Sequence, residues 1–229
     1  MPLISVIIPC RNGANYLAEA VASVQAQLGA FSAEIIIVND GSTDNTAALA
    51  RSLDCQVISL PPSGVSAARN AALKIMRGDF VMFLDHDDVL ETGALTRLLA
   101  EFTADLDIVS AKMQDFISPE LPAPDCAKLA PRPEPYGGLL PGAYLFRREA
   151  LTKIGGFDEK LQTGQGVDFL MRCVARELKE KKLDFISARR RLHNDNMGRT
   201  LQQQENKDYA TILRRKIGLA QKLRGGGSK

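Results

Sequence analysis

The sequence predicts a single α/β domain in which a mostly parallel central sheet is flanked by helices. Short runs rich in Val, Ile and Phe alternate with runs of helical period, and this alternation is typical of βαβ units. Two of the apolar runs end directly in acidic residues, at Asp40 and at Asp85. Because ligands of open α/β sheets bind outside the carboxyl ends of the strands, this pattern predicts a ligand site at that edge of the sheet.

The composition is that of a globular domain. The chain has 229 residues, of which 45% are hydrophobic and 24% are charged, and this length suits one large domain. No apolar run approaches the roughly 20 residues of a membrane span, and the amino end lacks the basic segment of a signal peptide. The four cysteines are widely separated and are expected to be reduced thiols. We therefore expect a cytoplasmic protein.

The first half of the chain is expected to alternate regularly between strands and helices. Apolar runs predict strands, and apolar residues three or four apart predict helices. The predicted strands are 3–9, 34–39, 55–60, 79–84 and 107–115, and the predicted helices are 14–27, 43–52, 65–76 and 91–103. Asp40 and Gly41 form a turn, after which Ser42 or Thr43 would cap the next helix.

Periodicity stops between residues 117 and 138, where six of the eleven prolines lie. Proline excludes a regular helix there, and long irregular loops are often functional lids. The remaining predicted strands are 143–147 and 183–187, the remaining predicted helices are 148–154, 167–179 and 200–224, and residues 225–229 are expected to form a flexible tail.

Basic residues are concentrated at the carboxyl end, with seven Lys or Arg and one acidic residue between Lys207 and Lys229. The basic helix 200–224 is therefore expected either to lie peripherally on the anionic inner face of a membrane or to meet a partner, and its apolar face is expected to pack on the domain or on a second subunit. The net charge of +2 gives no indication of nucleic-acid binding.

The segment Asp85-His86-Asp87-Asp88 follows an apolar strand and concentrates negative charge. At about 5 Å and an effective dielectric constant near 20, each pair of like charges costs roughly 3 kcal/mol. A divalent cation would relieve this repulsion and complete its shell with substrate phosphates. The alternative is an acidic turn that caps the following helix. His86 has no assigned role.

Two further residues point to the same edge of the sheet. A carboxylate at Asp40 can accept the ring N–H of a nucleobase, although Asp is also common in such turns for its own backbone hydrogen bonds. Arg69 stands on a predicted helix of small and apolar residues and would hold a cation against a base or diphosphate. A solvated helix arginine is the alternative.

The chain resembles the family 2 inverting glycosyltransferases with the GT-A fold, between Leu3 and about Phe185. The matching segments are SVIIPCRNGANYLAEAVASV, EIIIVNDGSTDNT, GVSAARNAAL, DFVMFLDHDDVL and GGFDEKLQTGQGVDFLMR. The resemblance implies a Rossmann-like nucleotide-binding half (1–115) and a smaller acceptor half (116–199), followed by the helix 200–224.

The resemblance also implies roles for individual residues. Asp40 would bind the nucleotide base, Asp85 the ribose, and Asp87 a Mn²⁺ or Mg²⁺ ion, with Asp88 alongside. The base would be bordered by Pro9, Arg11 and Asn12. Arg69 would face the nucleotide. His193 follows the last strand, where some relatives place a histidine near the metal, so that it is either a further metal ligand or a surface histidine.

Asp168 occupies the place of the family's catalytic base, although the residue before it is Val167 rather than the usual Glu. The resemblance thus implies transfer of a sugar, with UDP-sugars favoured as donors, to a saccharide or lipid-linked acceptor hydroxyl. Its alternatives are a non-catalytic module that binds sugar nucleotides and a nucleotidyltransferase. The latter would need a longer, lysine-containing phosphate loop near Pro9.

Overall fold

A nine-stranded mixed sheet forms the centre of the chain, with helices packed against it. The computed structural model describes residues 1–27, 29–137, 141–194, 196, 207–208 and 210–213. The strands are β1 (Leu3–Cys10), β2 (Ser32–Asp40), β3 (Gln56–Leu60), β4 (Phe80–Phe83), β5 (Val89–Leu90), β6 (Ile108–Ile117), β7 (Tyr136–Gly137), β8 (Tyr144–Arg147) and β9 (Glu180–Leu192). The helices are α1 (Leu17–Gln25), α2 (Thr46–Ser52), α3 (Val65–Leu73), α4 (Ala94–Ala100), α5 (Ala123–Cys126), α6 (Arg148–Ile154) and α7 (Gln165–Ala175).

The strand order is β3-β2-β1-β4-β8-β6-β9-β5, with β7 paired to β6. Strands β3, β2, β1 and β4 are parallel, as is the β6–β9 pair. Strand β8 lies antiparallel to both β4 and β6, and β5 lies antiparallel to β9. The predicted α/β class is confirmed, and the parallel pairing is concentrated in the first four strands of this order.

Strand β9 is longer than the sequence predicts, with 13 residues rather than five. Its register against β6 shifts on both sides of Lys112, so that this strand contains a bulge. Its last residues, Arg189–Leu192, lie opposite the end of β6. A long, polar strand of this kind escapes prediction because its apolar residues do not form a continuous run.

Helix α2 starts at Thr46, later than predicted, because Asp44 rather than Ser42 or Thr43 binds its first turn. The Oδ1 atom of Asp44 accepts the backbone N–H of Thr46 at 2.9 Å. Hydrogen bonds from Thr46 and the backbone N–H of Ala14 outweigh the effect of partial burial, so that the pKa of Asp44 lies below its ordinary value.

The proline-rich segment is more regular than predicted, since it contains the single turn α5 and the short strand β7. Asp115 on β6 fixes its return to the sheet, because its carboxylate accepts the Tyr136 hydroxyl at 2.6 Å and the Arg132 backbone N–H at 3.1 Å. The prediction that residues 117–138 contain no helix is therefore wrong for one turn.

The core contains an aromatic cluster beneath the carboxyl end of β4, formed by Phe83, Phe146, Phe157 and Phe169. The ring of Phe157 stacks on that of Phe169, with centroids 4.2 Å apart, and meets the ring of Phe83 edge-on at 5.0 Å. Because Phe169 belongs to α7 and Phe83 to β4, this cluster fixes the position of α7 relative to the parallel strands.

Part of the carboxyl segment packs on the domain. Asp208 is buried, and its Oδ2 atom accepts the backbone N–H groups of Gln162 and Thr163 and the Thr163 hydroxyl, at 3.1, 2.9 and 2.9 Å. Ile212 is also buried. Most of the predicted helix 200–224, and all of the predicted tail 225–229, lie outside the described residues. In the part of the chain that is described, no helix is long and apolar enough to cross a membrane.

Candidate active site

The acidic segment 85–88 forms a turn directly after β4, in which the Asp88 backbone N–H reaches the Asp85 carbonyl at 3.1 Å. The turn sends its three carboxylates to different partners. Asp85 forms an ion pair with Arg69, and Asp87 is hydrogen-bonded to His193. Asp88 accepts the backbone N–H of Arg191. These contacts relieve part of the repulsion that the sequence predicts.

Asp87 and His193 face each other across the end of β9. The Nε2 atom of His193 lies 2.9 Å from Oδ2 of Asp87, and the Asn196 side-chain amide donates to the same oxygen at 3.2 Å. Asn196 in turn accepts the backbone N–H of His193 at 2.7 Å. The predicted pair of metal ligands is thus brought together, and His193 is a buried residue rather than a surface histidine.

Burial and neighbouring charges act differently on the two inner carboxylates. Burial favours a higher pKa for Asp87, but the contact with His193 and the charges of His86 and His193 outweigh it and lower the pKa. Burial, together with the charges of Asp87 and Asp85, raises the pKa of Asp88 well above its ordinary value. Asp88 is therefore placed to structure the turn, whereas the carboxylate of Asp87 is the more readily ionised of the two.

Arg69 lies beneath the acidic turn. Its Nη2 atom donates to Oδ1 of Asp85 at 2.7 Å, and its guanidinium lies 5.1 Å from the Phe157 ring centroid. The Arg69 side chain is 5% exposed, whereas that of Asp85 is 40% exposed. A solvated helix arginine is therefore wrong, and Asp85 is the more accessible partner of this ion pair.

Asp40 ends β2 and is buried. Its Oδ1 atom accepts the Ser63 backbone N–H at 2.6 Å, and its Oδ2 atom accepts that of Gly64 at 2.9 Å. Gly64 precedes α3 with φ of 90°, a conformation that favours glycine. Asp40 thus holds the loop before α3, and a base N–H would share one of its oxygens with this loop.

The loop after β1 adjoins the turn after β2. Asn12 adopts φ of 51°, which asparagine tolerates better than most residues, and its Oδ1 atom accepts the Thr43 backbone N–H at 2.8 Å. Pro9 is buried within β1, whereas Arg11 and Asn12 are exposed. Of the predicted base-bordering residues, Arg11 and Asn12 are the accessible ones.

His86 packs against this same loop. A Cβ atom at Gly13 would lie only 2.2 Å from Cδ2 of His86 and 2.5 Å from Sγ of Cys10, so a larger residue would displace these side chains. The Gly13 backbone N–H is bonded to the Thr46 hydroxyl at 2.8 Å. His86 therefore joins the acidic turn to the loop after β1.

Asp168 lies in the first turn of α7, which begins after Gly164 with φ of 66°. Its side chain is 8% exposed, and Oδ2 accepts Nε of Arg172 at 2.9 Å. Arg172 also donates to the carbonyl of Ile154, at the end of α6. The predicted base is thus held in an ion pair within its own helix.

The three arginines 189–191 have different environments. Arg189 pairs with Glu91, and Arg190 lies 3.9 Å from Asp115. The Arg191 side chain is 3% exposed and pairs with Glu19. Three consecutive basic residues are most often a solvated charge run, but Arg191 is buried.

A cavity of about 540 Å³ opens beside His193. The start of α1, the segment 119–121 and the end of β9 line it, and its polar residues include Tyr16, Glu19, Glu120 and Arg191. The proline-rich segment thus contributes to a cavity next to the candidate metal ligands. The first residues of this segment are held beside the cavity, because Glu120 accepts the Tyr16 hydroxyl at 2.7 Å.

Sequence reasoning missed two polar residues that organise the site. Asn70 binds both backbone groups of Phe157, at 2.7 and 2.9 Å, and so ties α3 to the segment before α7. Asn196 binds both Asp87 and His193. The contacts with Phe157 and Asp87 join segments that are distant in sequence, so pattern alone offers no signal beyond the positions of Asn70 and Asn196 near Arg69 and His193.

Comparisons with known proteins agree with this architecture. A sequence model described as glycosyl transferase family 2 matches residues 5–154. The chondroitin synthase of Pasteurella multocida (strain Pm70) is 30% identical over 222 residues, which cover 86% of this chain and 21% of that protein. The uncharacterized glycosyltransferase EpsJ of Bacillus subtilis (strain 168) is 28% identical over 208 residues, covering 80% of this chain and 59% of that protein. The chain thus spans about a fifth of the chondroitin synthase.

Two solved structures resemble the fold. Staphylococcus aureus TarS, residues 1–349 in complex with UDP-GlcNAc, has a TM-score of 0.68 and 25% identity, covering 84% of this chain and 59% of that one. The Pyrobaculum calidifontis mannosyltransferase PcManGT, in complex with GDP-Man and Mn²⁺, has a TM-score of 0.70 and 14% identity, covering 94% and 64%. The second likeness concerns the fold, which is of the GT-A type. Since the family model covers most of the sheet and the acidic turn, the chain belongs to glycosyl transferase family 2.

Proposed function

We propose that this chain transfers a sugar from a nucleotide diphosphate donor, with UDP-sugars favoured, to a hydroxyl of a saccharide or lipid-linked acceptor, with inversion at the anomeric carbon. The single observation that carries the proposal is the family match over residues 5–154. The preference for UDP is supported by TarS, which binds UDP-GlcNAc and is 25% identical to this chain.

Asp87 and His193 are the proposed ligands of Mn²⁺ or Mg²⁺. Oδ2 of Asp87 and Nε2 of His193 lie 2.9 Å apart, so both would reach one cation. A carboxylate oxygen is a ligand that these ions prefer. Within the described ranges, no group of three His, Cys, Asp or Glu side chains is arranged to hold a metal. The remaining ligands would therefore come from donor phosphates and water.

The proposed reaction is a single in-line displacement. The acceptor oxygen forms a bond to the anomeric carbon while the bond from that carbon to the diphosphate oxygen breaks. The acceptor proton passes to the carboxylate of Asp168, a step that typically contributes about 10²- to 10⁴-fold. A bound cation supplies charge neutralisation for the departing nucleoside diphosphate.

The residues of the parallel strands would bind the nucleotide. Asp40 would accept the ring N–H of the base, with Arg11 and Asn12 at its border. Asp85, the exposed partner of the Arg69 pair, would contact the ribose hydroxyls. Arg69 would keep this carboxylate in place through the ion pair of 2.7 Å between its Nη2 atom and Oδ1 of Asp85.

A second candidate function is a non-catalytic module that binds sugar nucleotides. The burial of Asp168 and its ion pair with Arg172 favour it, because this carboxylate is bound within its own helix rather than open to an acceptor. This module would bind nucleotide with metal but would neither transfer the sugar nor hydrolyse the donor.

One experiment tests both functions. A thermal-shift panel of UDP, GDP and dTDP, each with Mn²⁺, Mg²⁺ or chelator, should show the largest stabilisation with UDP and a metal, because ligand binding to the folded state raises its stability. Donor hydrolysis and transfer are then measured for the wild type and for Asp168→Asn. We expect turnover to fall by about 10²- to 10⁴-fold with UDP affinity unchanged.

The matched control is Asp105→Asn, an exposed carboxylate distant from α7 in sequence, which should retain full turnover. Wild-type protein that binds UDP with metal but has no turnover would support the binding module. Undiminished turnover in Asp168→Asn would assign the base to another residue.

A further inference from the structure

Arg191 is enclosed next to the candidate metal ligands, two residues before His193. Its guanidinium lies between two aromatic rings, 4.9 Å from the Tyr16 centroid and 4.6 Å from the Phe116 centroid. Such stacking favours a delocalised, planar cation. With 3% of its side chain exposed, this arginine is not placed to bind a diphosphate directly.

All three nitrogens of the guanidinium have protein partners. Nε donates to the backbone carbonyl of Asp87 at 2.9 Å, and Nη1 donates to the Ser118 hydroxyl at 3.2 Å. Nη2 forms the ion pair with Glu19 of α1. One side chain therefore connects the acidic turn to the end of β6 and to the first helix.

The backbone of Arg191 contacts the same turn. Its N–H donates to Oδ1 of Asp88 at 3.0 Å, and its carbonyl accepts the Asn196 amide at 3.1 Å. The same amide nitrogen of Asn196 reaches Oδ2 of Asp87. The side chain of Arg191 thus binds the backbone of Asp87. The backbone of Arg191 binds Asn196, whose side-chain amide in turn binds the carboxylate of Asp87.

We propose that Arg191 is a positioning residue that fixes Asp87 in the orientation required to bind the cation. The inference rests on the proposed function, in which Asp87 and His193 are the metal ligands. A carboxylate on a short turn loses conformational freedom when it binds an ion, and partners that fix it beforehand remove that loss. Residues that orient metal ligands typically change metal affinity by about 10- to 100-fold when they are altered.

A purely structural role makes a different prediction. If Arg191 only neutralises Glu19 between α1 and β9, its replacement lowers the stability of the fold and leaves the cation affinity of the folded protein unchanged. The positioning role predicts weaker binding of Mn²⁺ by protein that is folded and still binds UDP without metal.

The test is Arg191→Lys, because lysine keeps the charge near Glu19 but lacks the planar group that reaches Asp87 and Ser118 at the same time. Free Mn²⁺ is followed by electron paramagnetic resonance during titration with protein in the presence of UDP. We expect the dissociation constant for Mn²⁺ to rise about tenfold. The affinity for UDP in chelator should stay at the wild-type value.

The matched control is Arg189→Lys on the same strand, where the arginine is 53% exposed and pairs with Glu91. It should leave the dissociation constant for Mn²⁺ unchanged. If thermal melting shows that Arg191→Lys is unfolded, Ser118→Ala removes one partner of the guanidinium and should weaken Mn²⁺ binding in the same direction by a smaller factor.

The outcomes separate the inference from the proposed function. Wild-type protein that does not bind Mn²⁺ with UDP contradicts the proposed metal site itself. The positioning role alone is overturned if the wild type binds Mn²⁺ and folded Arg191→Lys has the same dissociation constant. Where Arg191→Lys is unfolded, an unchanged dissociation constant in Ser118→Ala overturns it.

Discussion

Glu34 shows how one side chain stabilises the junction of three strands at the residue scale. From β2 it accepts the Ser5 hydroxyl of β1 and the backbone N–H groups of Arg77 and Gly78, which lead into β4, at 2.5, 2.6 and 3.2 Å. Burial favours a higher pKa for Glu34, but these hydrogen bonds outweigh it and hold the pKa below its ordinary value. The ionised carboxylate therefore stabilises the fold.

We expect Glu34→Gln to lower the free energy of unfolding at pH 7 by about 1–2 kcal/mol, since hydrogen bonds to a charged acceptor are lost. Because the pKa is lowered on folding, this stabilisation is complete above about pH 5 and is lost as the pH falls below about 4. Urea unfolding at several pH values measures the difference. The exposed Glu134→Gln is the control, and a difference that does not decrease as the pH falls below about 4 would contradict the electrostatic explanation.

Sequence reasoning at this scale located candidate residues better than it described their surroundings. Asp87 and His193 were both proposed as metal ligands, and they lie in contact although 106 positions separate them. The burial of Arg69 and Arg191 was not anticipated. Both are covered by segments that only the tertiary structure brings together, and their ion-pair partners Asp85 and Glu19 are the more exposed members of each pair.

Helix α7 illustrates the scale of elements, because its start depends on a residue far along the chain. The turn that precedes it includes Thr163 and Gly164, and Asp208 binds this turn through three hydrogen bonds to a single oxygen. The aromatic stacking of Phe157 on Phe169 holds the other side of the helix. The position of Asp168 thus depends on contacts from both directions.

We expect Asp208→Ala to loosen this turn, because the backbone N–H groups of Gln162 and Thr163 lose a charged acceptor. Each unsatisfied buried donor costs about 1–3 kcal/mol. Amide hydrogen exchange should therefore accelerate between residues 161 and 168 while exchange in β1 and β2 stays unchanged. Exposed Lys207→Ala is the neighbouring control. Unchanged exchange in 161–168 would show that the turn holds its conformation without Asp208.

Apart from the two-residue strand β5, the regular elements of the first half are predicted with errors of a few residues at their ends, because alternating strands and helices leave a periodic signal. The greater errors concern β9 and the segment 117–138. Their structure is set by pairing with β6, so the determining contacts are absent from the local pattern.

At the scale of the whole molecule, the two predicted halves share one sheet. Strand β6 crosses the boundary between residues 115 and 116, and β9 from the second half returns to pair with β5 in the first. The aromatic cluster also takes members from both halves, since Phe83 contacts Phe146, Phe157 and Phe169. We therefore expect the halves to unfold together.

The variant Phe157→Ala tests this cooperativity. Removal of a buried phenylalanine typically costs about 3–5 kcal/mol, which lowers the midpoint of thermal unfolding by about 6–20 °C for a domain of this size. Calorimetry should show a single unfolding transition for the whole chain, at a lower temperature than in the wild type. Phe102 is half-buried, so Phe102→Ala is the control and should lower the midpoint of thermal unfolding by less. Two separate transitions would show that the halves are independent.

The irregular register of β9 has a consequence for the evolution of this chain. Side chains alternate between the two faces of a strand, so a change in length by one residue normally reverses every face beyond it. Around Ser187, where the register against β6 already shifts, the strand can absorb such a change while later residues keep their faces. Between Arg189 and His193 the strand cannot absorb such a change. A single insertion there would turn Arg191 outward and move His193 away from Asp87. Homologous chains should therefore vary in length before the shift and keep a constant length after it.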